Sequence, residues 1–244
     1  MEFTWETMGM PAKLMIADKN DVQDMAEKVK LLFENLDNRF STYKFDSEIS
    51  KFNRGEIDTT NYPELKFILS ECERTRIETN GYFDSHYGLS EDPSGLVKGY
   101  AINQAAKLLQ ENGYANFLVE IAGDVATSGS NGENLTWTIG IENPFNRKEV
   151  VKVVKLSGQA IATSGIAVHS DHIVNPITHK VANEIASLSV ITDNVYDADR
   201  MATAAYAMGE RGIEFLNQLP NYSGYMITND KRGIMTEGFK QYVK

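Results

Sequence analysis

Val22, Met25, Val29, Leu32, Phe33 and Leu36 recur every three or four positions, the spacing of one helix face. Asp21 is placed to cap that helix, and the turn-prone run 18–21 separates it from a strand over 11–18. A second helix is predicted from Pro63, at its first position, to about Glu78, with Leu65, Ile68, Leu69 and Cys72 on its apolar face and Asn80-Gly81 ending it. Between these two, 41–53 is polar and reads as irregular. A third helix follows the glycine-rich run 81–99, with Ala101, Ala105, Leu108 and Leu109 as apolar positions and Gly113 as its stop. Leu135, Trp137, Ile139 and Ile141 alternate with polar residues, as on a half-buried strand. Strands are also predicted over 116–121, 149–156, 158–163, 187–192, 225–228 and 233–236, and a short helix over 211–219. Ala122-Gly123-Asp124 reads as a tight turn and 128–133 as an exposed hairpin loop.

The stretch Tyr196 to Gly209 organises the rest. Ala198, Met201, Ala202, Ala205 and Met208 mark a nearly buried helix, with Asp197 as its cap and Gly209 as its end. Asp199 and Thr203, four residues apart, fall on one face of it. A carboxylate and a hydroxyl so placed suit a hard cation such as magnesium, and equally suit a capping acid and a back-bonded threonine. Helices lying between groups of strands, with strands in adjacent runs, predict an α+β fold rather than a doubly wound parallel sheet. No repeat, linker or low-complexity segment divides the chain, so 1–244 reads as one domain.

Composition narrows the function. The 244 residues are 42% hydrophobic and 24% charged, ordinary for a globular protein. A net charge of −10 argues against a nucleic-acid partner. It leaves room for an anionic small ligand, because helix N-termini and a bound cation supply local positive potential. Cys72 is the single cysteine, which excludes an intrachain disulfide and predicts a buried core thiol. No span has the length and apolarity of a membrane helix, and the acidic start with Glu2 and Glu6 is unlike a signal peptide. These readings predict a cytoplasmic location.

Three segments carry candidate chemistry. Asp92 to Ala101 reads as a glycine-containing loop entering a helix, with Lys98 to reach a phosphate oxygen but without P-loop or GxGxxG spacing, and equally as a plain turn and cap. Ala162-Thr163-Ser164-Gly165 offers small hydroxyl residues for close contact with a cofactor, and the following His172, before Ile173-Val174-Asn175-Pro176, is a candidate general base or a histidine bonded locally. Ser41-Thr42-Tyr43, with Met8-Gly9 upstream, offers an aromatic face and polar edges for a heterocycle.

Taken together and in order, these segments resemble the ApbE family of FAD:protein FMN transferases. Met8-Gly9 resembles the family's MGT, Ser41-Thr42-Tyr43 its STY, and Asp46 to Ser50 its DSEIS-type segment. Gly81 to Asp84 resembles GxFD, Gly95 to Ala101 resembles GGIAKGYA, and Trp137 to Pro144 resembles WxIGIxxP. Ala162 to Gly165, His172 to Pro176, and Ala198-Asp199 to Thr203 resemble ATSG, HIIDP and ADxxxT.

The resemblance implies a T-fold-related α+β domain with mixed or antiparallel sheets flanked by helices. It also implies transfer of FMN from FAD to a threonine or serine of an acceptor flavoprotein, with magnesium as cofactor and AMP as product. It assigns Asp199, Thr203 and the backbone carbonyl of Val97 to the metal, and His172 to deprotonation of the acceptor hydroxyl. Met8, Ser41, Tyr43, Lys98, Asn103, Glu120, Ser164 and Ile173 fall where the flavin nucleotide is held. The chain departs from the family pattern at several points. Val97 replaces an alanine, Asn103 and Asn175 replace aspartates, Ala122 replaces a glycine, and His179 stands at another glycine position. The segment between Tyr87 and Asp92 is shorter than the family's usual insertion there. A FAD pyrophosphatase of the same fold and a non-catalytic FAD-binding protein are the alternative readings.

Overall fold

The computed structural model describes residues 1–18, 22–133, 135–166 and 173–244. The chain opens with strands β1 (Glu2–Thr7) and β2 (Met10–Ile16), then helices α1 (Gln23–Phe40), α2 (Glu48–Asn53) and α3 (Pro63–Glu78). A small hairpin, β3 (His86–Tyr87) and β4 (Ser90–Glu91), leads into helix α4 (Ser94–Glu111). Strands β5 (Phe117–Ile121), β6 (Asp124–Ser128), β7 (Trp137–Asn143), β8 (Asn146–Leu156) and β9 (Ala160–Gly165) follow. Two short strands, β10 (Val174–Asn175) and β11 (Lys180–Val181), precede β12 (Ile185–Thr192). Helices α5 (Val195–Ala207) and α6 (Arg211–Gln218), strands β13 (Ser223–Thr228) and β14 (Gly233–Met235), and a 3₁₀ turn over Glu237–Tyr242 complete the chain.

Eight strands form one sheet in the order β1-β2-β5-β6-β9-β12-β13-β14. Every neighbouring pair in it is antiparallel. Period-2 alternation divides its side chains between two layers. Leu118, Val125, Ile161, Ile191, Tyr225 and Ile227 face the β7–β8 hairpin, packing on Trp137, Ile141, Val154, Leu156 and Phe239. Phe117, Val119 and Ile121 face the other way, into a core shared with α1, α3 and α4. Ala162, Leu188, Val190 and Met226 continue that face under α5 and α6. Strand β12 is buried along its whole length because both of its faces are covered.

The expected α+β architecture is present, with differences at particular elements. Strand β1 was not anticipated, although Phe3 and Trp5 alternate with exposed Glu2, Thr4 and Glu6. The polar run 41–53 is irregular only in its first half. Ser47 accepts from the Ser50 amide at 3.1 Å and starts α2, with Ile49 as its buried anchor. The cap of α5 is Asn194, not Asp197. Asn194 Oδ1 accepts from the Asp197 amide at 2.9 Å while its Nδ2 donates to Asp197 Oδ2 at 2.8 Å, so both bonds run from the Asn194 side chain to the third residue of the helix. Asp21 lies outside the described residues.

Candidate functional site

The site grows from the crossing of α4 and α5. Helix α4 begins at Ser94, so the segment expected to be a glycine loop is already helical from there. Its glycines serve packing. A Cβ on Gly99 would lie 2.6 Å from Asp199 Cβ and 2.8 Å from the Val195 carbonyl oxygen, and one on Gly95 would lie 3.1 Å from the Phe83 ring. Without those side chains α4 comes close enough for the Gly99 amide to donate to Asp199 Oδ2 at 2.7 Å. One turn along α5, Thr203 Oγ1 stands 3.5 Å from the Gly95 carbonyl oxygen. That carbonyl belongs to the first turn of α4, two residues before Val97. Val97 itself is buried, with its side chain in the main core.

A second carboxylate arrives from the sheet. Asp124 opens β6 after a two-residue turn in which Ala122 and Gly123 both have positive φ, 50° and 90°. The turn delivers Asp124 fully buried, with Oδ1 accepting from the Thr163 amide of β9 at 3.0 Å. Lys98 of α4 reaches both acids, with Nζ 2.8 Å from Asp124 Oδ2 and 3.6 Å from Asp199 Oδ1. Burial works against the charged Lys98, but the two carboxylates together lift its pKa above the ordinary lysine value. Burial also pushes the Asp199 carboxyl upward, and Lys98 pulls it back, while Asp124 adds to the rise.

Behind α5 a polar network fixes its rotation. Arg200, buried, donates to Asp197 Oδ1 at 2.7 Å and to Glu78 of α3, and Tyr196 donates to Glu71 of α3 at 2.5 Å. Asp199 and Thr203, four residues apart, share the adjoining face of the same helix.

The remaining predicted residues lie on other elements. Met8, at φ 52°, forms the β1–β2 turn and lines a cleft of about 360 Å³ with Gly9, Glu6, Thr7, Glu34, Asp37, Asn38 and Lys44. Ser41 caps the C-terminus of α1 through its amide, and Tyr43, beside Lys44, is 98% exposed. Glu120 on β5 pairs with Lys13 on β2 at 2.7 Å. Asn103 is half-buried on α4. Ser164 is buried on β9, and Ile173 packs against the core under α5. Gly165, expected beside a cofactor, is explained by the sheet: a Cβ there would meet the Ala186 carbonyl oxygen of β12 at 2.8 Å. His172 lies outside the described residues. Cys72 is the expected core thiol, 1% exposed and pushed up to about 12 by burial.

Asp124 is the site residue that the sequence reading passed over. Its signal was the Ala-Gly-Asp turn itself, since acids are commonplace in turns and this one is distinguished only by its burial. Asn175 is also clarified. It donates through Nδ2 to the Ala207 carbonyl oxygen at 2.8 Å and accepts from the Ile177 and Thr178 amides at 2.9 and 3.1 Å. It is thus a turn residue tied to the end of α5.

The donors around Asp199 fit a hard cation. Asp124 Oδ2 is buried, and the charge that faces it is Lys98 Nζ at 2.8 Å. Such an oxygen is costly unless a charge is brought to it. The Asp199 carboxylate, the Thr203 hydroxyl and carbonyls of the first α4 turn make an all-oxygen set. Among the described residues no group of three or more His, Cys, Asp or Glu side chains gathers for a metal. Magnesium matches such a sparse set, because it takes one or two carboxylates and completes its shell with water and substrate phosphates.

Comparison with known proteins identifies the family and the fold. The ApbE family model matches residues 8–90 and 86–226. A FAD:protein FMN transferase of Vibrio cholerae is 26% identical, with the alignment covering 93% of this chain and 84% of that protein. One from Haemophilus influenzae is 23% identical, over 98% and 89%. The solved flavin transferase ApbE of Vibrio cholerae superposes with a TM-score of 0.83 at 23% identity, covering 99% of this chain and 98% of that one. The ApbE protein of Thermotoga maritima superposes with a TM-score of 0.88 at 20% identity, over 100% and 99%. Because the family model spans most of its length, the chain belongs to the ApbE family.

Proposed function

We propose that this protein is a magnesium-dependent FAD:protein FMN transferase, moving FMN from FAD to a threonine or serine hydroxyl of an acceptor flavoprotein and releasing AMP. The observation that carries the reading is the convergence of Asp199, Thr203, Lys98 and Asp124 at the α4–α5 crossing. Asp199, Thr203 and a carbonyl of the first α4 turn, Val97 by family resemblance, would hold the metal. When bound, magnesium supplies positive charge against the phosphates and the leaving AMP oxygen.

Lys98 adds a second positive charge within the same site. Met8, Ser41, Tyr43, Asn103, Glu120, Ser164 and Ile173 are assigned to holding the flavin nucleotide. His172 is assigned to accept the acceptor hydroxyl's proton; such base assistance is typically worth ~10²–10⁴-fold. The negative net charge makes the local cation the feature that renders a dinucleotide tolerable. Among the described residues no helix is long and apolar enough to cross a membrane. The cytoplasmic location is part of the proposal.

The test is AMP release from FAD and magnesium, with and without an acceptor domain, for wild type and Asp199→Ala. Acceptor-dependent AMP with covalent flavin, lost in Asp199→Ala, is the expected result. Acceptor-independent AMP would identify a FAD pyrophosphatase. Bound FAD with no AMP would identify a binding protein.

A further inference from the structure

In the α4–α5 site each carboxylate has one oxygen tied down and one turned toward the same point. Asp124 Oδ1 is held by the Thr163 amide at 3.0 Å and Asp199 Oδ2 by the Gly99 amide at 2.7 Å. The other two oxygens, Asp124 Oδ2 and Asp199 Oδ1, converge on Lys98 Nζ at 2.8 and 3.6 Å. The acids are anchored to backbone and cannot follow a ligand. Lys98 is a cation on a four-carbon stem, and it keeps 19% of its side-chain exposure against 1% for Asp124 and 4% for Asp199. It is therefore the movable and outward-facing member. One ammonium against two carboxylates leaves a negative charge uncompensated among the described residues.

We propose that Lys98 is a tethered counter-cation that occupies the cation position between Asp124 and Asp199, and that Asp124 controls metal affinity by drawing Lys98 off Asp199. The inference rests on the metal site assigned above. A divalent ion on Asp199 Oδ1 would sit beside the ammonium and be repelled by it, so Lys98 weakens metal binding to the protein alone. The two contacts are unequal, 2.8 Å to Asp124 and 3.6 Å to Asp199. With Asp124 in place Lys98 leans away from Asp199; without that charge it would close the 3.6 Å gap and shut the metal out. Drawing Lys98 toward a dinucleotide phosphate relieves the repulsion, so metal and dinucleotide bind with positive coupling.

The test is titration of the purified full chain with Mn²⁺ alone, following the free ion by electron paramagnetic resonance, for wild type, Lys98→Met and Asp124→Asn. Thermal melts verify that each variant folds. Lys98→Met is expected to bind Mn²⁺ at least tenfold more tightly than wild type, and Asp124→Asn at least tenfold more weakly. A purely structural ion pair would loosen the site in both variants and weaken both. Equal or weaker binding by folded Lys98→Met overturns the proposal; should that variant not fold, unchanged or tighter binding by Asp124→Asn does so. Metal binding unaffected by either substitution removes this proposal and leaves the metal site standing. No Mn²⁺ binding by any of the three proteins removes both.

Discussion

Gly99 and Asp199 meet across the α4–α5 crossing, amide to carboxylate at 2.7 Å, a hundred residues apart in the chain. A methyl group on Gly99 would lie 2.6 Å from Asp199 Cβ, and the Val195 carbonyl oxygen, at 2.8 Å, leaves it nowhere to go. Gly99→Ala is expected to push the helices apart, costing about 1–3 kcal/mol. On a chain of this size that is a fall in Tm of several degrees. Because Asp199 moves with α5, Mn²⁺ affinity should fall with it. A thermal melt and a metal titration on the same sample check both, and a variant matching wild type in each would contradict the packing described.

Ala122 sits at φ 50°, in the left-handed region, at the first position of the turn that delivers Asp124. An L-residue there costs roughly 1–2 kcal/mol relative to glycine before the glycine's own unfolded-state entropy is counted. Ala122→Gly should raise stability by about 1 kcal/mol, or roughly 2–4 °C in Tm. Activity should be unchanged, since the Asp124 backbone stays in register opposite Ile121. Differential scanning calorimetry decides it, and a lower Tm would contradict the turn geometry.

By the family resemblance Asn175 replaces an aspartate, and substituting the acid is expected to harm this protein. Its Nδ2 donates to the Ala207 carbonyl oxygen at the end of α5. A carboxylate cannot donate there, and it would set a negative charge against the negative end of the helix. Asn175→Asp should cost about 1–3 kcal/mol, read by chemical denaturation at pH 8. An unchanged midpoint would show that this bond contributes nothing.

His86 bridges the two ends of the small β3–β4 hairpin, with Nδ1 2.8 Å from Asp84 Oδ1 and Nε2 2.9 Å from Glu91 Oε1. The Asp84 hydrogen bond raises its pKa above the ordinary histidine value; burial opposes this, and the charges of Glu91, Asp84 and Glu73 add to it. A raised folded-state value means the stabilisation is complete below the unfolded pKa of about 6.5 and is lost as pH rises through the folded value. The pair is half exposed, so the effect is worth about 0.5 kcal/mol or less. The Tm of wild type should exceed that of His86→Gln at pH 5.5, with the gap closing by pH 9. A gap that is constant with pH would mean the contact is not ionic.

Much of this protein is written in its sequence, and the reason is the range of the interactions involved. The helical spacing of Ala198 to Met208, the hydroxyl a turn beyond Asp199, Pro63 at the start of α3 and the alternation from Trp137 to Ile141 are consequences of backbone periods that act over a few residues. The ordered motifs that carry the family resemblance are local in the same sense. The tertiary structure decided what those pieces do to one another. Strand order in the sheet depends on which apolar faces bury together, so β9 lies between β6 and β12 with the β7–β8 hairpin stacked on the outer face. Asp124 looks like an ordinary turn acid until β9 buries it and Lys98 arrives from α4. Gly99 looks like a loop glycine until α5 crosses it. Short-range geometry determined the helices, the strands and the Asp199–Thr203 face. The pairing of charges at the centre of the site was settled by contacts between residues far apart in sequence, whose energies exist only once the chain has closed around them.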